Sequence, residues 1–376
     1  MELIKILFFA RDPGGVNVIL PVYKKCQGRF ETLLYAKDFA LKKIMSQGDI
    51  PVKDIARECG CGNYSEVLDF LAKTSPDFIV TGTSLDDFTE RYLWKASEEL
   101  HIKSFAILDQ WMNLGIRFSE YTYAQAGVYE RQRKHCYLPY RICVMDRLAE
   151  EILIKEGIEK TRIAVTGQPH FDTVFETYQK AEASYPGDCI NIVFVSEPIL
   201  QDYDGNDMEN SYWGYNEKSI FFHLYDCLKT MAVHTSKNIR IILRPHPREN
   251  VEAWFEVTNP LENENIRIII DRGNDSFSVL KSADIVCGMS SMFLLEAVIC
   301  GKPILSIEIG LCRENPFVLH KTGICESVLT REELSLRLTR LIENIQTGKP
   351  AKTVNFEFKK GAAADIISAV EKESEK

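Results

Sequence analysis

Short apolar runs alternate with amphipathic, helix-like stretches through the first half of the chain. The apolar runs lie at residues 5–10, 77–83, 103–109, 141–145 and 162–167. Nearly continuous apolar strands of this kind are typical of a parallel sheet that helices cover on both faces. The pattern therefore predicts a first α/β domain made of repeated strand–helix units.

The helices of this domain are expected from residue 17, at residues 86–100 and at residues 146–157. Asp146 stands just before the last of them and can act as its N-cap. Residues 181–188, with the sequence AEASYPGD, are polar and contain Pro and Gly, which indicates a linker. We therefore place the first domain at residues 1–183.

The same alternation starts again after the linker. Strands are expected at residues 191–196, 239–243, 266–271, 283–287 and 303–307, and helices at residues 217–234, 276–282, 290–300 and 331–346. A second domain over residues 189–360 follows. A last helix, at residues 361–376, is expected to cross back to the first domain. The predicted fold class is α/β, with two Rossmann-like parallel-sheet domains facing a cleft.

Composition narrows the classes of partner. The chain has 376 residues, a hydrophobic fraction of 45% and a formal net charge of −9. Such a charge disfavours binding to nucleic acid or to an anionic membrane surface. No leader pattern precedes the first strand and no apolar run is long enough to span a membrane, so we expect a cytoplasmic protein without an integral membrane segment.

The chain has eleven cysteines, and most of them lie inside apolar runs. We expect them to be reduced thiols that pack as small hydrophobic side chains. Cys59 and Cys61 form a CxC pair, but no second Cys/His pair stands at zinc spacing. No metal site is therefore predicted.

A pair of glycines follows the first predicted strand, in the sequence Asp12-Pro13-Gly14-Gly15. Glycines permit a positive φ and let a substrate approach the backbone closely, so Gly14 and Gly15 are candidate ligand contacts. The spacing is not GxGxxG, and a dinucleotide site is not supported. The alternative is a tight strand–helix turn capped by Asn17.

A rigid basic turn, Arg244-Pro245-His246-Pro247, follows the strand at residues 239–243. Its two prolines fix the direction of the side chains around them. Arg244 as a permanent charge and His246 as a donor suit a diphosphate at the carboxyl end of a strand. The alternative is a histidine that caps a buried loop.

Ser290 and Ser291 stand where a helix is expected to begin, and Glu296 follows on an otherwise apolar helix. Capping alone would explain one serine. A carboxylate among apolar neighbours needs a partner, such as the hydroxyls of a ribose or an arginine. These three residues are candidates for the diphosphate and the ribose of a nucleotide.

Asp109 ends the strand at residues 103–109 and is the candidate general base, with Trp111 as an aromatic wall. A turn or helix-cap role for Asp109 is the alternative. Further candidates are Gln168 in the Gly167-Gln168-Pro169 turn, His170 just after that turn, and Arg313 near the last predicted strands.

These motifs resemble those of the GT-B glycosyltransferase superfamily, in the branch that contains the UDP-N-acetylglucosamine (UDP-GlcNAc) 2-epimerases and the CDP-glycerol glycerophosphotransferases. The similarity is strongest over residues 142–320, which include a Thr-Gly-Gln-Pro turn, the RPHP sequence at residues 244–247 and Ser-Ser-x4-Glu at residues 290–296. In that branch the corresponding His and Ser pair contact donor phosphates and the Glu contacts ribose. The resemblance implies nucleotide binding on the second domain without a metal.

The chain departs from both enzymes at their catalytic motifs. Asn113 stands where the epimerases carry a glutamate in His-x-Glu-Ala-Gly-Leu-Arg, and Gly82-Thr83-Ser84 replaces their Gly-Asp-Thr. Removal and return of a proton needs acids, and both of the family's acids are missing. The His-Gly-Thr-Pro turn of the glycerophosphotransferases is missing too, with Asp109-Gln110 near its place.

The sequence therefore favours a metal-independent glycosyltransferase that uses a nucleotide-sugar donor for cell-surface glycan synthesis. Asp109 and His246 are its candidate catalytic residues, and the candidate nucleotide-binding residues are Gly14, Gly15, Gln168, Arg244, Ser290, Ser291, Glu296 and Arg313. The alternatives are an epimerase or hydrolase, a glycerophosphotransferase and a non-catalytic nucleotide-sugar-binding protein. Expected partners are a nucleotide sugar, a glycan or small-molecule acceptor and a second copy in a homodimer, with no cofactor.

Overall fold

The computed structural model of the chain describes residues 3–204, 211–233, 235, 237–261, 264–273, 275–349 and 354–374. The chain divides into two compact units, the first formed by Met1–Thr173 with Phe358–Lys376 and the second by Val174–Glu357. Each unit is built on one parallel sheet with helices around it. The predicted α/β class with two Rossmann-like parallel sheets is confirmed.

The sheet of the first unit has the strand order β3-β2-β1-β4-β5-β6-β7 in the described part of the chain, and all its neighbours are parallel. The strands are β1 (Lys5–Ala10), β2 (Glu31–Ala36), β3 (Lys53–Asp54), β4 (Phe78–Thr81), β5 (Lys103–Ile107), β6 (Arg141–Val144) and β7 (Ile163–Val165). Because β1, β4 and β5 are adjacent and parallel, the segments that follow them begin at one edge of the sheet.

The helices of this unit connect successive strands. They are α1 (Pro13–Cys26), α2 (Asp38–Met45), α3 (Ile55–Cys59), α4 (Tyr64–Thr74), α5 (Thr89–Glu99), α6 (Ala126–Gln132) and α7 (Arg147–Lys155), with short 3-10 turns at Gly115–Phe118, Tyr123–Gln125 and Lys160–Arg162. Helix α8 (Phe171–Lys180) begins in this unit and continues into the second. The predicted N-cap of α7 is confirmed, since the Asp146 carboxylate accepts a hydrogen bond from the Ala149 N–H at 2.9 Å.

Helix α1 begins earlier than the sequence pattern suggested. The prediction that it starts at Asn17 is wrong, because Pro13 already occupies the first helical position, with Asp12 before it. Proline suits this position, since its fixed φ is helical and its missing N–H would have had no helical partner. Gly14 and Gly15 therefore lie in the first helical turn and do not have a positive φ.

The sheet of the second unit has the order β10-β9-β8-β11-β12 among its described residues, again with all neighbours parallel. Its strands are β8 (Ile190–Val195), β9 (Ile239–Arg244), β10 (Ile266–Ile270), β11 (Ile285–Gly288) and β12 (Ile304–Ser306). Its helices are α9 (Glu217–Ala232), α10 (Val251–Thr258), α11 (Ser276–Ser282), α12 (Met292–Ile299), α13 (Val318–Lys321) and α14 (Arg331–Gln346), with a π-helical turn at Leu200–Asp204. No helix of the described residues has the length and apolar character that crossing a bilayer requires.

The C-terminal helix α15 (Ala362–Ser374) belongs to the first unit. It packs beside α1, where Ile366 and Val370 join the buried core cluster that also contains Val18 and Phe8. The chain therefore returns to its first domain to complete that core.

Replacing Ile366 by alanine should lower the free energy of unfolding by about 2–5 kcal/mol, because it removes a fully buried side chain from this core. Urea denaturation followed by circular dichroism measures the change. Ile154→Ala on α7 is the matched control, since Ile154 is 40% exposed and should cost less than about 0.5 kcal/mol. An equal, small decrease in the free energy of unfolding in both variants would contradict the packing of α15.

Candidate functional sites of the two units

In the first unit, the Asp109 carboxylate lies against the glycine turn that follows β1. A Cβ atom built on Gly14 would fall 1.9 Å from Asp109 Oδ2, and one built on Gly15 would fall 3.7 Å from the Gly82 Cα. A side chain at residue 14 would have to displace this carboxylate, so the close approach favours glycine there, and no special φ is involved. Two of the predicted site residues, Gly14 and Asp109, are thus brought together.

Arg117 holds the Asp109 side chain in place. Its Nη1 donates to Asp109 Oδ1 at 3.0 Å and to Thr83 Oγ1 at 2.9 Å, and its Nε donates to the Asn113 carbonyl at 3.1 Å. Asn113 adopts a left-handed conformation with φ 54°. That conformation is one that asparagine tolerates better than most residues.

Asp109 combines a perturbed pKa with access to solvent. Burial raises the pKa of the Asp109 carboxyl, and this effect outweighs the opposing attraction of the Arg117 charge. The side chain is nevertheless 18% exposed. A carboxylate that is fixed, reachable and more basic than usual has the properties expected of a general base.

A second buried carboxyl, that of Glu90 on α5, is bound to the chain segment that also contacts Arg117. The Ser84 hydroxyl donates to Glu90 Oε2, and Ser84 directly follows the Thr83 that Arg117 binds. No described residue donates to Glu90 Oε1, which lies 3.6 Å from the position of a Cβ on Gly82. Burial raises the pKa of Glu90 to about 8, so this carboxyl is mainly protonated at neutral pH.

Gln168 and Trp111 complete the first unit's site. Gln168 Nε2 donates to the Asp109 carbonyl at 2.7 Å, which makes this buried amide a support for the strand end. Trp111 stacks on Phe171 at 6.2 Å and donates from Nε1 to Asp146 at 2.8 Å. His170 lies next to Phe171, and its ring tilts against it at 6.3 Å.

In the second unit, the N-terminus of α12 already holds an anionic side chain. The Ser290 N–H donates to Glu197 Oε1 at 2.7 Å, and the Ser290 hydroxyl donates to Glu197 Oε2 at 3.0 Å. Ser291 is the N-cap and accepts from the Phe293 N–H at 3.2 Å, so the capping interpretation of one serine is confirmed. Glu197 stands where an anionic ligand would meet the helix.

A chain of hydrogen bonds links the neighbour of Glu197 to His246. Ser196 donates to Glu249 Oε1 at 2.8 Å, and the His246 N–H donates to Glu249 Oε2 at 2.5 Å. His246 Nδ1 accepts from the Arg248 N–H at 3.2 Å, which leaves Nε2 as the protonated nitrogen of the neutral ring. His246 and Ser290 thus lie at the same edge of the sheet, joined through Glu249, Ser196 and Glu197.

The arginines near this edge have acidic partners of their own. Arg244 pairs with Asp271, which follows β10, and donates to the Gly273 carbonyl at 3.1 Å. Arg248 forms a two-pronged pair with Asp202 at 2.7 and 2.6 Å. Arg244 has further donors with which it could meet a phosphate, since a guanidinium has five.

The two remaining candidates of the second unit occupy different surroundings. Glu296 lies on α12 and is 6% exposed. Arg313 is exposed, donates to the Tyr212 carbonyl at 2.6 Å and stacks over the Tyr212 ring at 3.7 Å. The ligand roles of all the predicted site residues stay predictions, since geometry alone does not test them.

Buried carboxyls set the electrostatics of this edge. Burial raises the pKa of Glu197 to about 7 and that of Glu308, which follows β12, to about 8. Asn315 donates to Glu308 Oε2, whereas Oε1 receives no donor from the described residues. Each of these groups can carry a proton at neutral pH and then act as a donor.

The sequence analysis missed Glu90, Arg117, Glu197, Glu249 and Glu308. Glu197 and Glu308 lie two residues after the ends of strands β8 and β12, as Asp109 does after β5, so the rule that selects Asp109 also selects them. Glu90 gives no comparable local signal. The described residues contain no cluster of three or more His, Cys, Asp or Glu that could hold a metal ion, and metal independence stays a prediction.

Comparison with solved structures shows that the whole chain has the GT-B fold of the UDP-GlcNAc 2-epimerases. The Neisseria meningitidis enzyme bound to UDP-GlcNAc matches with a TM-score of 0.67 and 15% identity, covering 98% of this chain and 100% of that one. The Methanocaldococcus jannaschii UDP-GlcNAc 2-epimerase matches with a TM-score of 0.65 and 15% identity, covering 98% of this chain and 100% of that one. The Anabaena protein HepE in complex with UDP-glucose matches with a TM-score of 0.57 and 15% identity, covering 98% of this chain and 94% of that one.

At these identities the similarity defines the fold and not the reaction. No protein-family model matches the chain, and no curated protein matches it either. The suspected GT-B relationship is confirmed at the level of the fold.

Proposed function

We propose that the chain is an enzyme acting on a nucleoside-diphosphate sugar, with UDP-GlcNAc as the first substrate to test. The second unit would bind the diphosphate through the N-terminus of α12, Ser290, His246 and Arg244. The first unit would supply proton transfer through Asp109. The observation that carries this proposal is the placement of Asp109 against Gly14, fixed by Arg117, in a chain with the epimerase fold.

Epimerisation or hydrolysis of the UDP sugar is the reaction that we place first. Both need an acid and a base whose pKa values lie near neutrality. The family's own acids are absent, but Asp109 and Glu90 are two other carboxyls with raised pKa values, and their hydrogen-bond partners include the adjacent residues Thr83 and Ser84. Full-length matches to UDP-GlcNAc 2-epimerases, with TM-scores of 0.65 and 0.67, support the same choice.

Glycosyl transfer to an acceptor is the second candidate. It needs one accessible base to deprotonate the acceptor hydroxyl, and it needs no second acid. Asp109 is 18% exposed on its side chain, whereas Glu90 is 1% exposed as a residue. The similarity to HepE, solved with UDP-glucose, is compatible with this reaction.

Incubation of the purified chain with UDP-GlcNAc in deuterated water separates these reactions. Epimerisation gives the isomeric UDP sugar with deuterium at carbon 2, hydrolysis gives UDP and free sugar, and transfer gives UDP only when an acceptor is present. UDP-glucose and CDP- and GDP-sugars are tested in parallel. A chain that binds none of these nucleotides would overturn the proposal, and one that binds without turnover would be a binding protein.

Replacing His246 by alanine should weaken UDP binding roughly tenfold to a hundredfold, the effect of losing one hydrogen bond to a charged group. Isothermal titration calorimetry measures the dissociation constant. His101→Asn is the matched control, because His101 is exposed and has a positive φ that asparagine tolerates. Equal affinity of wild type and His246→Ala would exclude His246 from the phosphate site.

A further inference from the structure

The CxC pair of the first unit has a geometry that neither the fold nor the proposed reaction explains. The sulfur atoms of Cys59 and Cys61 are 2.6 Å apart. Non-bonded carbon atoms pack at about 3.5–4.0 Å, and sulfur is larger than carbon. A disulfide bond is about 2.05 Å long. The two thiols are therefore held close to bonding distance.

The backbone around the pair is shaped to hold the sulfurs together. Cys59 ends α3, and the next two residues, Gly60 and Cys61, have positive φ angles of 77° and 57°. The Gly62 N–H then donates to Glu66 Oε2 at 2.7 Å, which fastens the turn to α4. A non-glycine residue with positive φ is uncommon, so the backbone of Cys61 adopts an unfavourable conformation at the point where its thiol meets Cys59.

The two thiols have different environments. Cys59 is half-buried, whereas Cys61 is 6% exposed and its sulfur lies 3.6 Å from the Ile55 carbonyl oxygen. The hydrogen bond between the thiols lowers the pKa of Cys59 and raises that of Cys61. The nearby Lys37 ammonium favours the thiolate at both sulfurs. Cys59 is thus the more accessible and more acidic thiol, and Cys61 is the buried one beside it.

We propose that Cys59 and Cys61 form a reversible dithiol–disulfide site that reacts with small disulfides. The Cys59 thiolate attacks one sulfur of glutathione disulfide, forming a mixed disulfide and releasing one glutathione thiolate. Cys61 then loses its proton and attacks Cys59 Sγ, which forms the intramolecular disulfide and releases the second glutathione. The protein loses two electrons and two protons, and glutathione disulfide becomes two thiols.

The site lies beside an ion pair of the first unit. Lys37 Nζ pairs with Asp87 at 2.7 Å, and both charges act on the Cys61 thiol. Asp87 stands between Ser84 and Glu90 in the chain. The dithiol is thus next to the segment from Ser84 to Glu90, which carries the second buried carboxyl. The thiol–disulfide exchange itself does not depend on the proposed nucleotide-sugar substrate.

A redox titration of the full chain tests the proposal. The reduced protein is equilibrated with mixtures of glutathione and glutathione disulfide, and the free thiols are then alkylated. The masses of the tryptic peptides are measured by mass spectrometry. Trypsin releases residues 58–73 as one peptide with both cysteines and no others. We expect this peptide to lose two hydrogens and carry no glutathione, at ratios where the exposed Cys136 and Cys312 are still mainly alkylated.

Two serine variants identify the order of attack. Cys61→Ser should trap glutathione on Cys59 as a stable mixed disulfide, because no second thiol can displace it. Cys59→Ser should leave the buried Cys61 without glutathione under the same conditions. The proposal is overturned if the wild-type peptide stays doubly alkylated until Cys136 and Cys312 are oxidised, or if it ends as a mixed disulfide. The readout is a mass, so failure of the proposed function would leave this test intact.

Discussion

Replacing Asp109 by asparagine should reduce turnover of the nucleotide sugar by roughly two to four orders of magnitude, the contribution of a well-placed general base. Asparagine keeps the size of the side chain and can still accept from Arg117, but it cannot take up a proton. The dissociation constant for UDP should stay the same, since the phosphate contacts are assigned to other residues. Single-turnover kinetics and calorimetry measure the two quantities.

Glycine variants provide an independent test of the same carboxylate. A Cβ on Gly14 would lie 1.9 Å from Asp109 Oδ2. Gly14→Ala should therefore displace the Asp109 carboxylate and reproduce much of the decrease in turnover expected for Asp109→Asn. Gly127→Ala on α6 is the matched control, because the nearest atom to its new Cβ is 3.9 Å away. Asp69→Asn, on an exposed position of α4, controls for the loss of a carboxylate. Normal turnover in Asp109→Asn would remove Asp109 from the mechanism.

Replacing Glu197 by glutamine should tighten UDP binding about tenfold at pH 8, because an ionised carboxylate at the N-terminus of α12 competes with the phosphate. The wild-type pKa of about 7 sets the direction of the pH dependence. The protonated form, present below pH 7, favours the anionic ligand, so wild-type affinity should fall by up to about tenfold per pH unit above pH 7. The glutamine variant should lose most of this dependence.

Calorimetry between pH 7 and 8.5 measures this effect, because the second phosphate ionisation of the ligand, at about pH 6, is then nearly complete. Burial also raises the pKa values of the neighbouring Glu249 and Glu308. These two groups should therefore leave a smaller dependence of UDP affinity on pH in both the wild type and Glu197→Gln. Glu252→Gln on the exposed face of α10 is the matched control. Weaker UDP binding in Glu197→Gln would show that Glu197 supports the ligand and does not compete with it.

The sequence predicts the strands better than it predicts the turns. The apolar runs that become β1, β8, β9 and β11 are recognisable because a parallel strand is buried on both faces. Helices α11 and α14 begin and end at the predicted residues. Strands β2 and β3 were missed, since β2 begins with exposed and half-buried residues and β3 has only two residues.

The candidate site illustrates what a linear pattern can and cannot indicate. Asp109 and Ser290 are recognisable because each follows an apolar strand, and parallel strands bring such positions to one edge. The partners that decide their chemistry come from distant parts of the chain, as Glu197 does for Ser290, 93 residues away. Such pairings depend on tertiary packing, and no local periodicity encodes them.

The glycine pair shows the same limit. Its spacing suggested a positive φ, whereas both glycines are helical and one of them is needed because Asp109 packs against it. The need for glycine is therefore set by a residue about 95 positions later, and only the fold reveals it.

Four buried glutamates contribute proton uptake to the folding of this chain. The pKa values of Glu90 and Glu308 are raised to about 8, and those of Glu197 and Glu217 to about 7, whereas an unfolded glutamate has a pKa of about 4.3. Between these values each of these glutamates binds more protons in the folded chain than in the unfolded chain, so the stability that these four groups contribute decreases as the pH rises from about 4 through 8. At pH 7 these groups accordingly make the folded protein less negative than its formal charge of −9, and they release protons when the chain unfolds.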